Sequence, residues 1–209
     1  MLKQIGLVVG IAALALVLSA QIGFCAAKKT AKKTQPKKAA AKVEVKAEPA
    51  AAPKILVVFY SRTGNTKKIA EEISADLKCD IDEIIDTKDR SGVSGYMAGG
   101  RDAMKKNLTV IKEMKKNPAD YDMIIVGTPV WAAKMAPAVR TYISQNKEKI
   151  KNAAYFCTMG GRGDKTTFAD MEEATGKKPA ATLTIFEREI KKNEYKAKVE
   201  EFVKALAVK

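Results

Sequence analysis

One short segment of this chain combines residue types that could bind an anion. It reads Ser61-Arg62-Thr63-Gly64-Asn65-Thr66 and lies between a predicted strand and a predicted helix. Gly64 allows a tight backbone turn, helix N-terminal amides point outward, and the side chains add hydroxyl and amide donors. A capped loop with Asn65 or Thr66 as the helix N-cap is the simpler alternative. Four such donors around one glycine, directly after a buried strand, favour a phosphate site.

The composition excludes several other kinds of chemistry. Histidine is absent from the 209 residues, which removes the usual general base, the histidine-dependent nucleophiles and most zinc sites. Cys25, Cys79 and Cys157 are an odd number of cysteines without CxxC spacing. They indicate neither a disulfide framework nor a metal site, and Cys79 and Cys157 are predicted to be buried thiols. We therefore predict no catalytic residue and no metal ligand, and expect any chemistry to belong to a bound cofactor.

Apolar periodicity places the candidate segment within alternating strands and helices. The run at residues 55–60 predicts a fully buried strand, and Ile69, Ile73 and Leu77 mark one face of a helix. Further strands are predicted at residues 80–85, 122–126, 154–158 and 181–186. Further helices are predicted at residues 100–106, 136–146, 165–175 and 194–207. This alternation implies an α/β fold with a parallel sheet covered on both faces.

The anion-binding segment resembles the phosphate loop of the flavodoxin family, whose pattern is Ser/Thr-x-Thr-Gly-x-Thr. Every fixed position of the pattern is matched. Two further segments stand where that family places its flavin-contacting loops: Gly127-Thr128-Pro129-Val130-Trp131 and Thr158-Met159-Gly160-Gly161-Arg162-Gly163-Asp164. All three follow predicted strands, at the sheet edge where open parallel sheets bind ligands. The resemblance covers about residues 54–209 and implies a three-layer, doubly wound, five-stranded parallel sheet of order 2-1-3-4-5.

The resemblance also implies flavin mononucleotide (FMN) as the cofactor and divides its contacts among the three loops. The first loop would bind the phosphate, the second would border the isoalloxazine, and the third would approach the polar edge of the flavin. Trp131 would stack on the ring, because a tryptophan just beyond a strand end and Pro129 is poorly placed for the core. The predicted FMN-binding residues are Ser61, Arg62, Thr63, Gly64, Asn65, Thr66, Thr128, Pro129, Val130, Trp131, Thr158, Met159, Gly160, Gly161, Arg162, Gly163 and Asp164.

The function implied by the resemblance is electron transfer through noncovalent FMN. The partner would be a redox protein or a small-molecule electron acceptor. An NAD(P)H-dependent quinone or flavin oxidoreductase of the same fold is the alternative. A flavin-free interaction module tethered at a membrane is a third interpretation, which leaves the three loops unexplained.

Residues 1–27 predict a signal peptide or a membrane anchor. Residues 5–18 are apolar, and no charge occurs between Lys3 and Lys28. The lysines that follow would favour keeping the C-terminal side in the cytoplasm. Cleavage with export to the periplasm and an uncleaved inner-membrane anchor therefore both stay open. Residues 28–53 predict a Lys/Ala/Pro-rich disordered linker, which leaves residues 54–209 as the FMN-binding domain.

The positive charge of the chain is concentrated in the linker. The formal charge is +14, from 38 lysines and arginines against 24 acidic residues, and nine of the lysines lie at residues 28–54. A nucleic-acid surface interleaves basic side chains with aromatic ones, and this tract has no aromatic residue. We therefore predict no nucleic-acid partner.

Overall fold

The structure is a computed structural model and describes residues 53–207. The predicted signal or anchor segment and all of the predicted linker but its last residue lie outside the described range. Within that range, no helix is long and apolar enough to cross a bilayer.

A six-stranded sheet forms the centre of the domain. Its strands are β1 (Ile55–Phe59), β2 (Asp80–Glu83), β3 (Met123–Trp131), β4 (Lys134–Met135), β5 (Asn152–Met159) and β6 (Thr182–Phe186). Five of them are parallel and follow the order β2-β1-β3-β5-β6. Counted over the parallel strands alone, this confirms the predicted order 2-1-3-4-5. The two-residue β4, which pairs antiparallel with the end of β3, is too short to produce an apolar pattern and was not predicted.

Helices cover both faces of the sheet. They are α1 (Asn65–Leu77), α2 (Gly92–Met104), α3 (Pro137–Asn146), α4 (Asp164–Thr175), α5 (Glu187–Lys192) and α6 (Lys196–Ala207), with short 3-10 turns at Pro118–Asp120 and Lys147–Lys149. One face holds an apolar cluster that includes Ile69, Val199 and Phe202 of α1 and α6. The other holds a cluster that includes Tyr142 of α3 and Met171 of α4. The domain therefore has the three layers predicted for it.

The register of the sheet brings the predicted loops together. Phe59 at the end of β1 lies opposite Gly127 of β3, and Pro129 of β3 lies opposite Thr158 of β5. The segments that follow these strands therefore emerge at one edge of the sheet. This edge is the one at which open parallel sheets bind ligands.

Helix α2 differs most from the prediction. It begins at Gly92, whereas the sequence placed its start at residue 100. The buried positions of α2 are Gly95, Gly99 and Ala103, so its inward face has no large apolar residue to produce a helical period. The sequence also missed α5, which is separated from α6 by Asn193 in the left-handed conformation at φ 57°.

Candidate functional site

The loop after β1 leaves several donors available to a ligand. Gly64 is the N-cap of α1 at φ 88°, and no side chain caps the helix. The predicted alternative of a cap at Asn65 or Thr66 is therefore wrong. Ser61 Oγ accepts a hydrogen bond from the Gly64 amide at 3.1 Å, which holds the loop closed. Within residues 53–207, no hydrogen bond engages the side chain of Thr63 or Asn65, so these groups and the first α1 amides can meet an anion.

A buried hydrogen bond fixes the distance between the first and third loops. The hydroxyls of Thr66, in the first turn of α1, and Thr158, near the end of β5, lie 2.8 Å apart. Both side chains are buried. The first turn of α1 is therefore positioned directly against the strand end that begins the third loop.

The second loop is a hairpin, because β3 continues as a strand through Trp131 and returns as β4. The Thr128 hydroxyl, which is fully buried, accepts a hydrogen bond from the Ala136 amide at 3.0 Å. This bond ties the end of β3 to the start of α3. Thr128 thus holds the hairpin in place from inside the protein.

Trp131 lies both in the core and at the site. Its side chain is only 6% exposed and belongs to the apolar cluster under α3 and α4. Its ring meets that of Tyr60 edge to face, with 5.7 Å between centroids and 85° between planes. The expectation that Trp131 is poorly placed for the core is therefore wrong. The extension of β3 as far as residue 131 explains the difference.

The third loop is packed against the hairpin turn. Gly163 has φ 112°, and a Cβ there would lie 2.9 Å from Ala133 Cα. Thr166 Oγ1 donates to the Ala133 carbonyl at 3.0 Å. Asp164 Oδ2 accepts from Thr184 Oγ1 at 3.3 Å. Gly163 and Asp164 therefore hold the loop in position.

The three loops enclose a cleft of about 220 Å³. Its lining residues are Arg62, Thr63, Asn65, Thr66, Tyr96, Pro129, Val130, Trp131, Thr158, Met159, Gly160 and Glu187. The predicted residues that lie outside this lining are Ser61, Gly64, Thr128, Gly161, Arg162, Gly163 and Asp164. The structure thus brings together most of the first predicted loop, the last three residues of the second and the first three of the third.

Two lining residues were not predicted from the sequence. Glu187 directly follows β6, so the rule that ligands bind at carboxyl ends of parallel strands could have found it. Tyr96 belongs to the first half of α2, which the sequence did not predict to be helical. The guanidinium of Arg62 lies over the Tyr96 ring, 5.2 Å from its centroid, and Arg62 Nη1 donates to the Arg90 carbonyl at 3.4 Å.

The Tyr60 phenol and the two cysteine thiols of the described residues are held in their neutral forms, although Cys79 lies away from the cleft, before the start of β2. Burial raises the pKa of the Tyr60 phenol to about 12. Burial likewise raises the pKa of the Cys157 thiol to about 12 and that of Cys79 to about 11, and both cysteines are free. Cys157 is buried as predicted, whereas Cys79 is partly exposed. No group of residues that could hold a metal ion occurs in the described part of the chain.

The cleft is lined by two chemically different groups of residues. Thr63, Asn65 and the start of α1 supply hydrogen-bond donors. Pro129, Val130 and Trp131 supply apolar surface. A Cβ built on Gly160 would meet no atom within 4 Å, so a flat group can approach the backbone there. These residues fit a ligand that has a flat aromatic ring and a phosphate tail.

Comparison with known proteins agrees with this geometry. A family model described as flavodoxin matches residues 54–202. The chain is similar to a flavoprotein from Lactobacillus acidophilus NCFM solved in complex with FMN, with 26% identity and a TM-score of 0.57. That match covers 68% of this chain and 98% of the Lactobacillus chain. No curated protein matches the chain.

Two further solved structures share the fold. One, from Bacteroides eggerthii DSM 20697 and described as a flavoprotein, is 21% identical at a TM-score of 0.57, over 72% of this chain and 98% of the other. The second, from Bacteroides uniformis ATCC 8492 and also described as a flavoprotein, is 20% identical at a TM-score of 0.54. It covers 70% of this chain and 99% of its own. In each case the match spans nearly the whole solved chain.

Proposed function

Because this chain belongs to the flavodoxin family, we propose that residues 54–209 bind FMN noncovalently and transfer electrons to a redox partner protein or a small-molecule acceptor. The observation that carries this proposal is the cleft, whose lining combines hydrogen-bond donors of the first loop with apolar residues of the hairpin. FMN would supply the redox chemistry, and the protein would supply binding, orientation and electrostatics.

The residues of the cleft have separate tasks in this proposal. Thr63 and Asn65 donate hydrogen bonds to the phosphate, together with the first amides of α1. Val130 and Trp131 exclude water from the ring. Arg62, which lies over Tyr96, is a cation at the side of the cleft. The Thr66 hydroxyl is already hydrogen-bonded to Thr158 and keeps the phosphate end in place.

The proposal is tested by flavin binding to purified residues 54–209. We expect visible flavin absorbance to remain with the protein after gel filtration. Thr63→Ala combined with Asn65→Ala should weaken FMN binding at least about tenfold, since hydrogen bonds to a charged group contribute about 1.5–3 kcal/mol each. Riboflavin lacks the phosphate, so its affinity should stay unchanged. Thr182→Ala, at an exposed position of β6, is the matched control.

Three results would count against the proposal in different ways. Absence of bound flavin would contradict FMN binding altogether. Equal losses for FMN and riboflavin in the double variant would remove the first loop from the phosphate site. Rapid quinone reduction driven by NAD(P)H would favour an oxidoreductase over an electron-transfer protein.

A further inference from the structure

Helix α2 is amphipathic in the opposite sense to an ordinary surface helix. Its buried positions are Gly95, Gly99 and Ala103. Its large apolar side chains point outward instead, with Val93 76% exposed and Met97 63% exposed. A Cβ on Gly99 would lie 2.5 Å from Trp131 Cζ3. The small inward residues therefore permit close packing, whereas no residue in the described part of the chain buries Val93 or Met97.

The exposed apolar side chains lie in one segment of the chain. In the described part of the chain, the exposed large hydrophobic residues are Ile85, Val93, Tyr96, Met97, Met104, Leu108 and Val110. All of them fall within 26 consecutive residues of a 209-residue chain. Val93, Met97 and Met104 are spaced i, i+4 and i+11 along α2 and so share one face of the helix. Single exposed apolar residues are normal, but several on one face mark an interaction surface. We call Val93, Tyr96, Met97, Met104, Leu108 and Val110 the α2 surface.

The unpaired charges of α2 and its C-cap are cationic, whereas Asp89 before the helix and Glu113 after it are exposed anions. Asp86 and Asp102 accept hydrogen bonds from the buried guanidinium of Arg90 at 3.0 and 2.6 Å. Asp89 accepts from the amide and hydroxyl of Ser91. Lys88 and Lys106 pair with acidic residues, but three other cations do not. Arg101, Lys105 and Lys112 are exposed and make no ion pair with any described residue. The segment thus presents apolar and cationic groups together.

The surface of an anionic bilayer is a suitable partner for exposed apolar side chains that lie beside unpaired cations. Protruding aliphatic side chains insert at the boundary between headgroups and acyl chains, lysine and arginine attract anionic headgroups, and tyrosine favours the interface. The sequence before the domain has the same chemistry, with an apolar run at residues 5–18 and nine lysines at residues 28–54. A chain held at a membrane by that run would keep the domain at high effective concentration near the lipid.

We propose that the α2 surface binds the surface of an anionic phospholipid bilayer. Met97 and Met104 contribute apolar contact, and Arg101, Lys105 and Lys112 contribute charge. Tyr96 belongs both to this surface and to the lining of the cleft. Binding would therefore place one wall of the cleft at the bilayer.

Vesicle co-sedimentation tests the proposal. Residues 54–209 are suitable because the sheet and both apolar clusters lie within them. We expect binding to vesicles of phosphatidylcholine with phosphatidylglycerol and little binding to phosphatidylcholine alone. Val93→Ser with Met97→Ser and Met104→Ser should reduce binding about tenfold or more. Arg101→Gln with Lys105→Gln and Lys112→Gln should reduce it similarly.

The matched control removes three exposed cations from α5 and α6, on the other face of the sheet: Lys191→Gln, Lys192→Gln and Lys204→Gln. An equal loss in this control would overturn the proposal, because it would show attraction by net charge alone. Full retention of binding by the apolar variant would also overturn it. Thermal unfolding of each variant checks that the domain remains folded.

Two other occupants give distinct results. Concentration-dependent dimers in sedimentation velocity, abolished by the apolar variant, would assign the α2 surface to a second copy of the chain. Binding to poly-L-glutamate without binding to vesicles would assign it to an acidic protein. Either result overturns the membrane proposal without affecting FMN binding.

Discussion

The position of Trp131 depends on a glycine in another element, helix α2. Gly99 of α2 faces the Trp131 ring, and a Cβ at residue 99 would lie 2.5 Å from Cζ3. Trp131 also contacts Tyr60 edge to face and is almost fully buried, so it has little freedom to move. The Trp131 ring can occupy its place in the wall of the cleft only because residue 99 has no side chain.

Gly99→Ala should destabilise the domain by about 1–3 kcal/mol, because overpacking a core forces side chains and backbone to shift. The displaced Trp131 should also weaken FMN binding. Gly100→Ala is the control, since a Cβ there meets no atom within 4 Å and alanine stabilises a helix by about 0.5–1 kcal/mol relative to glycine. Urea unfolding of both variants measures the difference. Equal stabilities would contradict the packing described for α2.

The turn of the β3–β4 hairpin has a backbone conformation that is unfavourable for the two alanines it contains. Trp131 pairs with Lys134, so Ala132 and Ala133 form a two-residue turn. Their φ angles are 49° and 59°. Positive φ at both positions is typical of a type I′ turn, which favours asparagine and glycine. The left-handed conformation is unfavourable for alanine by about 1–2 kcal/mol per residue.

Ala133→Gly should therefore raise the free energy of unfolding by about 1 kcal/mol. Thermal or urea unfolding would measure the change. Ala98→Gly in the middle of α2, where φ is not positive, should have the opposite sign and cost about 0.5–1 kcal/mol. A loss of stability in Ala133→Gly would mean that the alanine methyl contributes more through packing than it costs in strain.

The sequence predicts those elements whose inward faces are large and apolar. The strand at residues 55–60 and the helix face at Ile69 and Ile73 follow from this rule, and the parallel order came from the family resemblance. The rule fails for α2, whose inward residues are Gly95 and Gly99. The same failure hid Tyr96, because a tyrosine in an unassigned segment has no predicted neighbours.

The sequence predicts which loops form the site, but not the role of each residue in them. Loops that follow parallel strands meet at one edge, so the three segments could be grouped without coordinates. Their individual roles depend on burial, which the sequence does not contain. Thr128 is fully buried and hydrogen-bonded to the Ala136 amide, whereas Thr63 remains exposed. A hydroxyl in a motif can serve the ligand or the fold, and only packing distinguishes the two.

The ion pairs of the buried Arg90 make the stability of the whole domain depend on pH. Its guanidinium pairs with Asp86 and Asp102, and the side chains of Arg90 and Asp86 are each 3% exposed. The hydrogen bond from Arg90 is the main cause that lowers the pKa of Asp102 to about 2. A carboxyl whose pKa is lower in the folded state stabilises the fold above its unfolded pKa. That stabilisation is lost as the pH falls through the folded value.

We expect the domain to lose stability between about pH 4 and pH 2, in part through protonation of Asp102. Asp102→Asn should lower the free energy of unfolding at pH 7 by about 2 kcal/mol and flatten its dependence on pH over that interval. Urea unfolding across the pH range would measure both effects. Asp76→Asn, at an exposed position of α1 with no ion pair among the described residues, is the control. An unchanged slope in Asp102→Asn would show that other carboxyls dominate acid unfolding.

The burial of Trp131 against the cleft has an optical consequence. It is the sole tryptophan of the chain. Fluorescence excited selectively through indole therefore comes from one position in the molecule. That place borders the cleft through Trp131 itself and lies against α2 through Gly99. The intrinsic fluorescence of the unlabelled protein is therefore a local signal, sensitive both to a chromophore that enters the cleft and to any displacement of α2.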